Sequence, residues 1–162
     1  MQRTSLSDAE CPVARTLDQV GDWWSLLVLR DAFAGLTRFA EFEESLGIAT
    51  NMLARRLDKL VVDGLLERRA YAHRPVRHEY VLTDKGRDLF PVLAAMMAWG
   101  NRWLAPEGVA MTLADFETRA VLDPVVVDAG TGARVTADTA VLAAGPAAGP
   151  DVLARVARRD RA

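Results

Sequence analysis

The chain has little of what most chemically reactive sites need. It holds one cysteine, Cys11, and two histidines, His73 and His78, among 162 residues. A lone thiol makes neither an internal disulfide nor a cysteine-based zinc site. The histidines have no Cys or carboxylate cluster at ligand spacing, so neither a metal nor a cofactor is implied. No apolar run approaches the roughly 20 residues that span a bilayer. The start, Met1 to Asp8, also lacks the apolar segment of a signal peptide. A cytoplasmic protein without membrane contact is expected. Ser5, Ser7, Ser25 and Ser45 sit in no nucleophile-elbow pattern, and Gly130-Thr131-Gly132 lacks the Lys-Ser/Thr of a phosphate loop. With no catalytic arrangement left, an enzyme is not expected.

What the chain does have is apolar content of 51%, enough for a core, and an uneven distribution of charge. Between Ala49 and Arg87 nine basic residues stand against five acidic ones, a net of +4 in a chain whose total is −2. An acidic total does not exclude nucleic acid, because the local field governs phosphate contact.

Helical spacing and stop signals order the first two-thirds. Pro12 to Val20 reads as a helix that Gly21 ends; Asp22 can cap the next, from Trp23 to about Phe33. Thr37 can cap a third, in which Phe39, Phe42 and Leu46 are buried while Glu41, Glu43 and Glu44 face water. A fourth, about 50–63, buries Leu53, Leu57, Leu60 and Val61 and exposes Asn51, Arg55 and Asp58, with Thr50, Ala54, Arg56 and Lys59 flanking. After Gly64, Leu65 to Ala70 and Glu79 to Leu82 read as paired strands around a loop from Tyr71 to His78. Thr83 opens a long helix to about Leu104, with Pro91 as a kink or restart. Its apolar stripe, including Leu89, Val92, Leu93, Met96 and Trp103, exceeds what one small core needs. Trp23 is expected in the core.

Beyond Pro106 the composition changes. Pro124 to Val127 and Ala133 to Thr136 flank Asp128-Ala129-Gly130-Thr131-Gly132 as a hairpin, and Val141 to Ala143 could add a strand. Ala143 to Pro150 contains only Ala, Gly and Pro and reads as a linker. Asp151 can cap a last helix running into Arg158, Arg159 and Arg161.

The ordered set of short motifs resembles the HxlR-type regulators, a branch of the MarR-like winged-helix superfamily. It comprises Cys11-Pro12, Gly21-Asp22-Trp23, Arg38-Phe39, Gly47-Ile48, Asn51-Met52-Leu53 and Arg56-Leu57 with Leu60. Asp63-Gly64-Leu65, Arg68, Tyr71, Pro75-Val76-Arg77, Glu79-Tyr80 and Leu82-Thr83 with Gly86 complete it. The resemblance covers roughly Glu10 to Leu104. It implies a mainly α fold with a small β-hairpin wing (α+β): a winged helix-turn-helix with flanking dimerisation helices and a C-terminal hairpin extension. Residues 9–105 would form the DNA-binding and dimerisation domain, 106–143 the extension, and 144–162 a linker and basic tail. One departure is Ala49, where the family often has a capping Ser; Thr50 could take over the cap. Some relatives carry a Cys-x-x-Cys-Gly knuckle in an extension. Here the corresponding turn has no cysteine, which leaves a metal-free hairpin or an unrelated extension.

The implied function is a homodimeric transcriptional regulator, a repressor by family habit, that binds a palindromic double-stranded DNA operator and answers a small-molecule or electrophile effector. The DNA-binding residues expected are Arg38, Thr50, Asn51, Arg55, Arg56, Lys59, Arg74 and Arg77. Asn reads adenine and Arg guanine by bidentate hydrogen bonds, and cations at a wing tip suit phosphate. The dimer interface expected is Val13, Leu17, Leu89, Val92, Leu93, Met96 and Trp103. Cys11 stands at a helix start where free N–H groups favour thiolate while Asp8 and Glu10 oppose it; it reads as a small residue packed near the dimer interface or, as the resemblance to some family members implies, a redox sensor. A winged helix that binds protein and leaves DNA alone is the competing class.

Overall fold

The computed structural model describes residues 5–157. Four helices follow in order: α1 (Pro12–Val20), α2 (Trp23–Phe33), α3 (Phe39–Leu46) and α4 (Thr50–Val62). Asp22 caps α2 as expected, its Oδ1 accepting the Ser25 N–H at 3.0 Å and its Oδ2 the Ser25 hydroxyl at 2.6 Å. The start of α3 is built differently. Thr37 lies outside the helix, and Glu41, expected to face water, turns back so that Oε2 accepts the N–H groups of Thr37 (2.9 Å) and Arg38 (2.8 Å). These backbone donations hold the Glu41 carboxyl below its ordinary pKa, Arg38 contributing most.

Gly47 ends α3 in the left-handed region at φ +58, and Ala49 stands at the head of α4 without a side-chain cap. Thr50 does not take over the cap. It is the first helical residue, and its hydroxyl donates to Glu43 Oε1 at 2.5 Å. The buried stripe of α4, Leu53, Leu57 and Leu60, meets Val28, Leu29, Phe42, Ile48, Leu65, Leu66, Tyr80 and Leu82 in one core. Each such side chain contributes about 1.5–3 kcal/mol of transfer free energy on burial.

The wing is longer than its sequence suggests. β1 (Leu66–His73) pairs antiparallel with β2 (Val76–Leu82) from Leu66↔Leu82 to His73↔Val76, so most of the expected Tyr71–His78 loop is strand. Only Arg74 and Pro75 remain between the strands, joined by a cis peptide bond. Pro75 sits at the tip, where no ladder N–H is required, so it does not stop the pairing. The register shifts at Tyr71. The segment leading into α3 adds a third partner, through the Arg38↔Glu79 bridge and a hydrogen bond from the Tyr80 N–H to the Thr37 carbonyl at 2.7 Å.

The long helix divides at Asp88–Leu89 into α5 (Asp84–Arg87) and α6 (Phe90–Trp103), with Pro91 in the first turn of the restart. Thr83 joins the wing to α5. Its hydroxyl donates to the Gly64 carbonyl at 2.6 Å and accepts the Gly86 N–H at 3.0 Å. Gly86 lies against the Leu65 backbone, and a Cβ there would overlap the Leu65 carbonyl oxygen.

In the extension, β3 (Leu113–Ala114) pairs with β4 (Val121–Leu122), a ladder the sequence reading missed. The hairpin around Asp128–Gly132 forms as expected, held by the Val127↔Arg134 bridge and by Asp128 Oδ1, which accepts from the Thr131 N–H (2.8 Å) and hydroxyl (2.7 Å). Residues 141–143 form no strand. The last helix, α7 (Pro150–Ala157), has Asp151 inside it instead of at its cap. Glu10 supplies the cap from the other end of the chain, Oε2 accepting the Val152 N–H at 3.0 Å. Gly149 leaves the room that this carboxylate occupies. The expected basic tail, Arg158, Arg159 and Arg161, lies outside the described residues.

Gly86→Ala is expected to destabilise the fold by about 1–3 kcal/mol or more, since backbone must move to admit the methyl group. Urea unfolding of the two proteins measures it; equal midpoints would disprove the close approach.

Candidate nucleic-acid interface

Helical geometry sorts the cations of α4 into two groups. Asn51 and Arg55 stand one turn apart on the exposed side, and among the described residues neither side chain has a hydrogen bond or ion pair. Their polar heads are free to meet a ligand at no cost in broken internal contacts. Thr50 is also exposed but bonded to Glu43.

Arg56 and Lys59 flank that face as expected, and each is paired within the protein. Arg56 is half-buried, with Nε 3.2 Å from Asp22 Oδ1 in a charge contact that lacks hydrogen-bond alignment. Lys59 Nζ lies 2.6 Å from Asp63 Oδ2, one turn on. Both charges are paired within the protein, Arg56 linking α4 to the head of α2. Nothing in the sequence spacing announces the Asp22 contact, because it depends on how the helices cross.

The wing and the start of α3 form a second cationic region. Arg74 is exposed at the tip and Arg77 is exposed on β2. Arg38, whose side chain stacks over the Tyr71 ring at 4.9 Å, and Arg77 share a cleft of about 510 Å³ with Phe39, Glu41 and His78. Arg74 is not among its lining residues. Tyr71 and His78 bound the segment expected to grip flanking DNA as the wing, a segment read as loop that proves to be mostly strand. The ion pair Arg69–Glu67 on β1 raises the Arg69 pKa and lowers that of Glu67, but such an exposed pair contributes little to stability.

Of the expected dimer residues, Val13, Leu17, Val92, Met96 and Trp103 are exposed large hydrophobics. Leu89 and Leu93 instead pack against the protein's own core. Trp23, expected in the core, is 74% exposed; Trp24 takes the inner place, its ring edge-on to Trp23 at 6.2 Å. Trp99 and Leu104 enlarge the exposed apolar surface at the α6 end.

Cys11 stands just before α1, half-buried. No hydrogen bond caps the helix there, yet the Ala14 N–H stabilises a thiolate and, with smaller help from the Val13 N–H and the charges of Arg155 and Arg15, sets the pKa below the ordinary thiol value against the opposing effect of burial. Among the described residues no group of three or more His, Cys, Asp or Glu is placed to hold a metal, and no helix is long and apolar enough to cross a membrane.

Known proteins are similar to this chain in sequence and fold. An uncharacterized HTH-type transcriptional regulator of Mycobacterium tuberculosis is 40% identical over 135 residues, covering 83% of this chain and 85% of its own. The crystal structure of PA1607, a candidate transcription factor, superposes with a TM-score of 0.77 at 43% identity, covering 86% of this chain and 99% of that one. The redox regulator HypR in its reduced form gives a TM-score of 0.55 at 35% identity over 60% of this chain and 99% of its own. Residues 19–108 match the model of the HxlR-like helix-turn-helix proteins. The chain belongs to that family, and is a transcriptional regulator with a helix-turn-helix DNA-binding domain.

Proposed function

We propose that the chain is a homodimeric repressor, acting in the cytoplasm, that reads a palindromic operator with α4 and grips the flanking backbone with the wing. The observation that carries this reading is the pair of unengaged side chains, Asn51 and Arg55, one turn apart on the exposed face of α4. A helix of this kind fits the major groove, and bidentate Asn–adenine and Arg–guanine contacts are each worth ~1–3 kcal/mol of discrimination. Thr50 contributes to phosphate contact, as do Arg38, Arg74 and Arg77. Residues 9–105 carry both DNA binding and dimerisation, with 106–143 as an appended module.

Arg55→Ala or Asn51→Ala is expected to cost ~1–3 kcal/mol on the selected operator and relax one position per half-site. Arg77→Ala should weaken all sequences alike and reduce the salt slope by about 1. Arg56→Ala is the contrasting variant, expected to lower stability more than sequence preference. Competition binding across a salt series measures all four. Unchanged preference in Arg55→Ala would remove α4 as the reader.

Dimerisation is supported by the exposed apolar residues of α1 and α6, Val13, Leu17, Val92, Met96 and Trp103, in a chain whose core is already complete without them. Sedimentation equilibrium at micromolar concentration should give the dimer mass. A monomer there would refute the assignment and the palindromic operator with it.

Cys11 acts as the sensor of oxidants or electrophiles in this reading. The support is its depressed pKa and the likeness to HypR, a redox regulator. Mild oxidation should release the operator from the unaltered protein and not from Cys11→Ser; equal behaviour of the two would exclude the switch.

A further inference from the structure

We infer that Tyr71 is a positioning residue for DNA binding: its ring fixes the Arg38 guanidinium beside Arg77, so that cations from two elements meet one stretch of DNA backbone as a unit. Arg38 comes from the head of α3 and Arg77 from β2, yet both line the same cleft. This role rests on the reading above that Arg38 and Arg77 contact phosphate, and adds to it the group that makes the contact ready-formed.

The backbone of Arg38 is held from several sides. Its N–H donates to Glu41 Oε2 at 2.8 Å, it bridges to Glu79, and the preceding carbonyl, of Thr37, accepts the Tyr80 N–H at 2.7 Å. The side chain has no such ties. Arg38 is exposed and forms no ion pair among the described residues. A long exposed side chain on a fixed backbone still samples several rotamers, and a partner that orders it loses affinity in doing so. The Tyr71 ring, with its centroid 4.9 Å from the guanidinium carbon, restricts that freedom before DNA arrives. A carboxylate could also hold Arg38, but it would neutralise the charge. A ring holds the cation and leaves the charge uncompensated, with the in-plane N–H donors open to phosphate oxygens. Glu41, the acid lining the cleft, turns Oε2 onto the backbone N–H groups of Thr37 and Arg38.

The placement of Tyr71 has its own cause in the ladder. Ala70 pairs with His78 and Ala72 with Arg77, which leaves Tyr71 as the extra residue of a bulge. A bulge breaks the strict alternation of a strand and re-aims a side chain. Here the re-aimed residue is the one that meets Arg38, and the next residue along is the partner of Arg77. One irregularity in β1 thus brings both cations to the same place. Tyr71 is 39% exposed and stands outside the core, so its replacement leaves the core packing intact.

The test measures binding of the full chain to a mixed-sequence DNA duplex across a salt series, by fluorescence anisotropy, so the result does not depend on the operator. Tyr71→Leu should weaken binding about threefold to fivefold, the scale of an exposed cation–π contact. Tyr71→Phe, which keeps the ring and loses only the hydroxyl, should bind as the unaltered protein does. Arg38→Ala should weaken binding and lower the salt slope by about 1. Adding Tyr71→Leu to Arg38→Ala should then cause no further loss, because the ring acts only through the arginine. Arg38→Lys keeps the charge without the planar fork; it should lose affinity as Tyr71→Leu does, and decides the matter if Tyr71→Leu fails to fold. A loss in Tyr71→Phe equal to that in Tyr71→Leu would make the hydroxyl the contact and overturn the positioning role. Additive losses in the double variant, or full affinity in Tyr71→Leu or Arg38→Lys, would overturn it as well. Full affinity in Arg38→Ala would remove Arg38 from the interface and Tyr71 with it. An unaltered protein that binds no duplex would refute the operator reading and this role together, whereas binding that survives Tyr71→Leu refutes this role alone.

Discussion

The hydroxyl of Thr83, seated between the Gly64 carbonyl and the Gly86 N–H, holds together the parts that must keep a fixed geometry. It ties the end of α4 to the start of α5, and the wing leaves and returns through the same joint. The Thr83 N–H donates to the Leu65 carbonyl at 3.1 Å, and Lys85 Nζ reaches the Asp63 carbonyl at 2.6 Å. The fourth helix, the wing and the helix leading to α6 therefore share one anchor. With a Cβ at Gly86 the backbones of α5 and Leu65 could not approach as they do.

Charge is partitioned by the same logic. Asp22 both begins α2 and receives Arg56, so a residue that supplies one helix start with its acceptor also bears on the roll of another. That roll turns Arg56 inward and leaves Asn51 and Arg55 outward. The cations of α4 thus fall into two groups, those paired within the protein and Arg55, which is not. A count of basic residues cannot separate the two groups.

Much of the fold was legible because its signals are local. The boundaries of α1 and α2, the Asp22 cap, the stops at Gly47 and Gly64, and the Pro91 restart follow from residues within one turn. The misreadings arise where distant segments intervene. Thr37 lost its capping role to Glu41 and became an edge partner of Tyr80; the expected loop after Ala70 became strand because pairing continued to the Arg74–Pro75 tip. Trp23 and Trp24 are adjacent and chemically identical, so only packing could tell which faces inward. The exposure of Asn51 and Arg55 was legible from helical period, whereas the engagement of Arg56 by Asp22 and the stacking of Arg38 on Tyr71 were not.

The bond from the Val152 N–H to Glu10 closes the chain into a ring of 142 residues' separation. A run of alanine, glycine and proline would otherwise behave as a tether, letting α7 explore a wide volume. Closure removes that freedom, and Gly149 makes it tight by admitting the carboxylate against the backbone. Residues 10 and 152 are thereby held as neighbours. The stretch that follows α6 is a loop with both feet fixed, so its length is set by the closure and not by the reach of a free tether.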